Sequence, residues 1–278
     1  MFRNQSYKSF KENLDFVRSC STWDELDKLS KTINHKFLLN SKYKSKLRSV
    51  EKKMNTILCD DSWMGHCAKY QLHSGGKRFR ALLALMAADI FKINHESAIY
   101  AAICCEFIHN ASLIHDDLQD RDLLRRGLPT IWNRFGDHTA INLGDYFIAG
   151  SFEALSKIKG NSENKCKAIE HLSYIIKQTV KGQSIEILER SNLNLRMEEY
   201  ESTAKAKTGG LICWPIKLIM ILNGEKNIDE INFKPLYEAG LAYQIQDDLS
   251  DFLGIKDRGL PGRDLKEGKM NVLIMHFL

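Results

Sequence analysis

Apolar residues recur along most of the chain at intervals of three and four, the period of helices with one buried face, and alternating strand-like runs are few. In residues 1–60 the stripe is thin and set in lysine-rich polar sequence. There Trp23, Leu26, Leu29, Ile33, Phe37 and Leu38 predict an N-terminal helical layer. After the Ser74-Gly75-Gly76 break, ALLALMAADIF predicts an apolar helix. The run from Ser97 to Leu118, SAIYAAICCEFIHNASLIHDDL, is apolar on nearly every side, as a helix at the centre of a bundle would be. Gly127-Leu128-Pro129-Thr130 breaks the chain, and helical patterns follow at about 138–157, 165–190 and 196–206. LICWPIKLIMIL then resumes the apolar pattern, and a last buried helix is expected from about Phe233 to Phe252. No Pro/Ser-rich linker interrupts the chain, so the expected fold is all-α, an antiparallel helix bundle in a single domain over 1–278.

Two places break the pattern. The central helix ends in HDDLQDRD, with Asp116, Asp117 and Asp120, and the last helix carries QIQDDLSD, with Asp247, Asp248 and Asp251. The D-D-x-x-D spacing puts the first and last carboxylate of each cluster on one helix face, where like charges repel. In the first cluster the carboxylates also face the negative end of the helix dipole. A hard divalent cation is the expected partner. The basic residues Lys77, Arg78 and Arg80 stand at a predicted helix N-terminus, where backbone N–H groups also favour anions, and Arg125-Arg126 form a second pair.

Composition narrows this further. At 278 residues and 44% hydrophobic content the chain can bury a core of its own, and four prolines suit a helical protein. The charge of +5 comes from 40 basic and 35 acidic residues spread along the chain, which suits a small anion better than nucleic acid. Seven cysteines, Cys20, Cys59, Cys67, Cys104, Cys105, Cys166 and Cys213, make no C-x-x-C pair, so neither a zinc ribbon nor a disulfide framework is expected. The N-terminus lacks the apolar stretch of a secretory signal, and no wholly apolar run reaches the ~18 residues of a membrane span. The expectation is a soluble, not membrane-spanning, protein of the reducing cytoplasm.

In order, the chain presents GGKRFR, HNASLIHDDLQDRDLLRRGLPT, Gly144-Asp145, Gly182-Gln183, Lys207-Thr208, YQIQDDLSD and DLKEGK. With these motifs, over about residues 70 to 275, it resembles the trans-isoprenyl diphosphate synthases, the polyprenyl synthetase family. The resemblance implies an isoprenoid synthase fold, with a central cavity between two Asp-rich helices. It also implies an enzyme, a prenyltransferase of isoprenoid biosynthesis. An allylic diphosphate would ionise, isopentenyl diphosphate would attack in a head-to-tail (1′-4) condensation, and the released diphosphate would take the proton. Magnesium, three ions by resemblance, would stabilise the departing diphosphate.

By the same resemblance Asp116 and Asp120 ligate two of the ions and Asp247 the third, with Asp117, Asp248 and Asp251 ligating or acting through water. Asp116, Asp120, Lys207 and Asp247 are the expected catalytic residues. Lys77, Arg80, His109 and Arg126 would bind isopentenyl diphosphate, and Arg125, Lys207, Thr208 and Gln244 would surround the allylic substrate. Gln183 and Lys269 complete the substrate-binding set. Arginine suits this work because its planar fork gives two parallel hydrogen bonds to phosphate.

Product length is expected to be set upstream of Asp116. Ala111 and Ser112 are small where farnesyl-producing relatives usually carry an aromatic, and Phe107, Ile108 and Cys104 lie further back. That implies growth to about twenty carbons, a geranylgeranyl diphosphate synthase, with a farnesyl or longer-chain synthase as the alternative. Further alternatives are a class I terpene synthase, a peptide prenyltransferase or a non-catalytic subunit of a heteromeric synthase. GGKRFR, Arg126 and two intact Asp clusters weigh against these. Many relatives carry Leu-Gly-Lys in the loop after the second cluster; GIKDRGLPGRDL has no lysine at that place, and Lys256, Arg258 or Lys269 would substitute. Relatives also continue beyond the position of Leu278, so the apolar VLIMHFL end implies truncation or burial at an oligomer interface. The expected assembly is a homodimer.

Overall fold

A computed structural model describes residues 41–190, 196–254, 262–269 and 271–277. The expected apolar positions from Trp23 to Leu38, and the loop residues Lys256 and Arg258, lie outside the described residues. By internal contacts the chain divides into Met1–Lys46 and Leu47–Leu278, and the bundle belongs to the second unit.

Helix α1 (Ser41–Leu58) turns Val50, Met54 and Leu58, four residues apart, into the core. Helix α2 (Trp63–His73) starts at Ser62, whose side chain accepts from the Gly65 N–H, and α3 (Phe79–Ile90) follows the glycine break. Helix α4 (His95–Gln119) is capped by Asn94, which accepts from the Ser97 N–H. It runs through the centre, packed against α3, α6 (Asp137–Ser156) and α9 (Gly210–Leu222). Phe107 of α4 meets Phe147 of α6 edge to face at 5.5 Å, and Ile103 and Ile114 are buried in the same helix. Full burial of a large apolar side chain contributes about 1.5–3 kcal/mol, so this seam is a principal source of stability. By length and composition α4 could cross a membrane, yet 78% of its apolar stretch is buried inside the bundle, as in a core helix.

Between α4 and α6 lie a short hairpin, β1 (Leu124–Arg125) with β2 (Leu128–Pro129), and α5 (Ile131–Phe135). The hairpin corrects the reading of 127–130 as a simple break. Leu124 opposes Pro129 and Arg125 opposes Leu128, with Arg126 (φ 55) and Gly127 (φ 76) both left-handed, the backbone of a tight antiparallel turn. Helix α7 (Ser162–Leu188) follows an Asn161 cap; then come α8 (Met197–Ala204), a π-helical turn (Lys205–Gly209) and α9. A 3₁₀ turn (Ile228–Glu230) leads to α10 (Lys234–Phe252), and α11 (Arg263–Lys266) and α12 (Val272–Phe277) close the chain. The bundle is all-α apart from the hairpin. Helix α10 is not the buried helix expected: Tyr243 is 60% exposed and Phe252 51%, while Gly240, Leu241, Asp248 and Asp251 are its buried residues.

Candidate active site

The last turn of α4 carries Asp116 and Asp117, and Asp120 caps the helix. Asp116 and Asp120 line a cavity of about 460 Å³ inside the bundle. Their repulsion is met by cations from distant parts of the chain. Lys207 Nζ donates to Asp116 Oδ1 at 3.1 Å, Lys269 Nζ lies 3.0 Å from Asp120 Oδ2, and Arg190, at the end of α7, also pairs with Asp120. Burial alone would lower both lysines, but the carboxylates outweigh it and raise them, so they stay charged. Asp117 lies outside the cavity wall. It accepts from Arg125 Nε at 2.6 Å, and burial, partly offset by that arginine, pushes its carboxyl up to about 7.

Lys207 and Thr208, both on the cavity wall, stand in the π-helical turn, a local widening that recurs at functional sites. Two glycines bring α10 against this turn. A Cβ on Gly240 would lie 2.7 Å from Gly209 Cα, so only bare backbone permits the crossing. Two turns beyond Gly240, Asp247 reaches the cavity. Its neighbours in the second cluster do other work. Asp248, on the wall but buried, accepts from Tyr200 OH (2.8 Å), the Val272 N–H (2.8 Å) and Gln244 Nε2 (3.0 Å). Burial, opposed by these bonds, pushes it up to about 6. Asp251 lies off the wall, accepting from the Asp264 N–H at 3.0 Å. The spacing therefore puts first and last carboxylates into the cavity for the first cluster only.

The basic side of the cavity is formed by Arg80, His109, Arg125 and Arg126. Arg126 donates to the Gly75 carbonyl, and its guanidinium occupies the space a Cβ on Gly76 would take, 2.9 Å from that position. Burial, reinforced by Arg80, Arg126 and Arg125, holds the His109 imidazole well below its usual range, so it is neutral. Lys77 is exposed and off the wall, and Arg78 turns away to Glu51 (3.1 Å) and the Leu72 carbonyl (2.8 Å). The buried Arg80 Nε, His109 Nδ1, Arg125 Nη2 and both amide atoms of Gln183 have no hydrogen-bond partner. All four side chains line this one cavity. Such unmet groups are costly in a folded protein, and their convergence marks a polar ligand.

Upstream along α4 the wall turns apolar. Ala111, Ser112 and Ile108 line it, joined by Ile148 of α6, Ile176 of α7 and Leu211 of α9. Phe107 and Cys104 do not line it: Phe107 is spent on Phe147 in the seam between α4 and α6. The sequence reading missed these facing isoleucines because they belong to other helices. It also missed His115, seated over Gly144 with Asp145 at 3.9 Å, and Tyr243, Glu186 and Arg190. Glu186 had a legible signal, standing three residues after Gln183 on the same helix face.

Among the described residues no three His, Cys, Asp or Glu side chains gather into a ready-made metal cage. The donor set still fits a hard cation that shares its shell with substrate phosphate: Asp116, Asp120 and Asp247 bring oxygen donors to one cavity.

A helical cavity with carboxylates, arginines around unmet polar atoms and an apolar extension has the makeup of a site for an amphipathic anion, with a charged end and an apolar end. Comparison with known proteins makes this specific. Residues 61–278 match the family model "Polyprenyl synthetase". The chain is 34% identical over 239 residues to the short chain isoprenyl diphosphate synthase of Methanocaldococcus jannaschii, covering 84% of this chain and 72% of that one. Its fold is similar to that of the geranylgeranyl pyrophosphate synthetase of Geoglobus acetivorans, with TM-score 0.73, 30% identity and coverage of 84% and 75%. It is also similar to a polyprenyl synthase from Caulobacter crescentus complexed with calcium and isoprenyl diphosphate, with TM-score 0.75, 25% identity and coverage of 87% and 73%. The chain belongs to the polyprenyl synthetase family, and it is a prenyltransferase.

Proposed function

We propose that the protein condenses isopentenyl diphosphate with an allylic diphosphate, head to tail, and releases geranylgeranyl diphosphate. The observation that carries this reading is the convergence of unmet polar atoms from Arg80, His109, Arg125 and Gln183 on the cavity that also holds Asp116, Asp120 and Asp247. One anion site would serve a cyclase; chain elongation needs two, and the basic side around Arg80, His109 and Arg126 supplies the second.

In this reading Arg80 and Arg126 hold the isopentenyl diphosphate head, with neutral His109 hydrogen-bonding beside them. Asp116, Asp120 and Asp247 hold magnesium, which when bound supplies Lewis-acid stabilisation of the leaving diphosphate. Lys207 adds a fixed cation at the same head, and Thr208, Gln183 and Gln244 border the allylic chain. Lys269 joins them once its hold on Asp120 is exchanged. Asp117, turned to Arg125, acts by orienting that arginine, and Asp248 and Asp251 act by holding the C-terminal segment in place. The tail grows along Ser112, Ala111 and Ile108, and Ile148, Ile176 and Leu211 bound its length.

Incubating the purified protein with magnesium, isopentenyl diphosphate and farnesyl diphosphate, followed by mass analysis, tests the assignment. A C20 product is expected. Products ending at C15, or extending well beyond C20, would overturn the chain length, and no condensation at all would overturn the reaction. We propose a homodimer as the working assembly, with exposed Ile141 of α6 and Tyr174 of α7 available to an interface. Sedimentation at micromolar concentration checks it.

A further inference from the structure

Lys207 is held by two carboxylates that are not equivalent. Its Nζ lies 3.1 Å from Asp116 Oδ1 and 2.9 Å from Glu186 Oε2. Asp116 sits at the end of α4 among other aspartates, facing the cavity, and is suited to a divalent cation. Glu186 lines the same cavity from α7, outside both aspartate clusters, with its side chain mostly buried. Gly182, one turn earlier, packs against Lys207: a Cβ there would lie 3.4 Å from Lys207 N and Cβ, a close van der Waals contact.

The consequence follows from charge. When a divalent cation engages Asp116, that carboxylate no longer attracts Lys207 as strongly, and the cation itself repels the ammonium. A lysine with four rotatable bonds and one partner lost would swing away unless another carboxylate kept it. We propose that Glu186 is a positioning residue, anchoring the Lys207 ammonium at the cavity while Asp116 serves the metal. Lys207 then remains aimed at the substrate diphosphate. Burial, reinforced by Asp116 and Asp120, pushes the Glu186 carboxyl up, and Lys207 is the group that opposes that shift. The inference rests on the elongation reading of the site.

The test is a double-mutant cycle with Glu186→Gln and Lys207→Met, each followed by steady-state kinetics and by calorimetric binding of inorganic diphosphate with magnesium. Glu186→Gln is expected to lower kcat about 10- to 100-fold, with KM for isopentenyl diphosphate unchanged within about twofold, because one oriented charge at a developing anion is worth about that much. Glu186→Asp should recover part of the loss. In the Lys207→Met background Glu186→Gln should add less than about twofold, in kcat and in diphosphate affinity, because residues acting through one another are non-additive. An equal loss in both backgrounds overturns the proposal. So does a wild-type kcat and diphosphate affinity in Glu186→Gln. If Glu186→Gln does not fold, as judged by its melting curve, Glu186→Asp in the same cycle decides by the same criterion. Should wild type make no product, the elongation reading fails, and the calorimetric cycle alone decides the role of Glu186.

Discussion

The two aspartate clusters are spelled with the same spacing and fold to different ends. In the first, Asp116 and Asp120 both face the cavity, and Lys207, Lys269 and Arg190 converge on them from elsewhere in the chain. In the second, Asp247 faces the cavity while Asp248 and Asp251 accept hydrogen bonds from Val272 and Asp264 in the C-terminal segment. Helical periodicity decides which carboxylates share a face. What packs against that face decides what they do. The first cluster opens both end carboxylates to the cavity, and the second joins one cavity-facing carboxylate to a clamp on the C-terminal segment.

This contrast can be broken most directly at Asp116. Asp116→Asn is expected to lower kcat about 10²–10³-fold, the scale for loss of one charge-stabilising group, with the melting temperature unchanged or raised by relief of repulsion. Steady-state kinetics beside a thermal melt check both halves. Asp251→Ala should do the reverse. It strands the Asp264 N–H and costs about 1–3 kcal/mol, seen as a Tm lowered by several degrees, with a smaller fall in kcat than Asp116→Asn. If Asp251→Ala abolished activity at full stability, the two clusters would be equivalent and the distinction wrong.

At the apolar side of the cavity, Ala111→Phe should shift the product to C15 with little change in total turnover, read by mass. An unchanged distribution would place the stop on Ile148 and Ile176. The smallest effect is in pH. Buried beside Arg80, His109 is depressed below its ordinary pKa of about 6.5, so the folded state resists protonation that the unfolded chain accepts. Its contribution is therefore complete above that value and lost as pH falls below it. Melts between pH 5 and 8 should show a shallower acid limb for His109→Asn than for wild type. An identical limb would remove His109 from the account.

Much of this was legible in the chain. The period of Ser97–Leu118 announced a central helix, and the conflict between its apolar body and acidic end announced a site. Arg80, His109, Arg126 and Gln183 came from motif order and meet at one cavity. What escaped was set by tertiary contact. Phe107 stands one turn before Ala111 in sequence, yet its ring belongs to the α4–α6 seam, because residues four apart share a face only approximately and a large ring takes the densest side. Tyr200 and Val272, which claim Asp248, are 48 and 24 residues away along the chain, beyond any local pattern. Ile148 and Ile176 read as ordinary core positions until the helices are assembled.

The contact between Gly209 and Gly240 has a mechanical meaning. It is a pivot where Gly240 rests on the backbone of Gly209 and Gly209 faces Tyr237 of the same helix, with Lys207 and Thr208 just before it on one arm and Asp247 about 10 Å along the other, at 1.5 Å per residue. A methyl group at either glycine would widen the pivot, and α10 would swing as a lever, carrying Asp247 out of register with Lys207. Since a displacement of about 1 Å can cost a catalytic site 10²-fold, two residues without side chains set the tolerance to which this cavity is built.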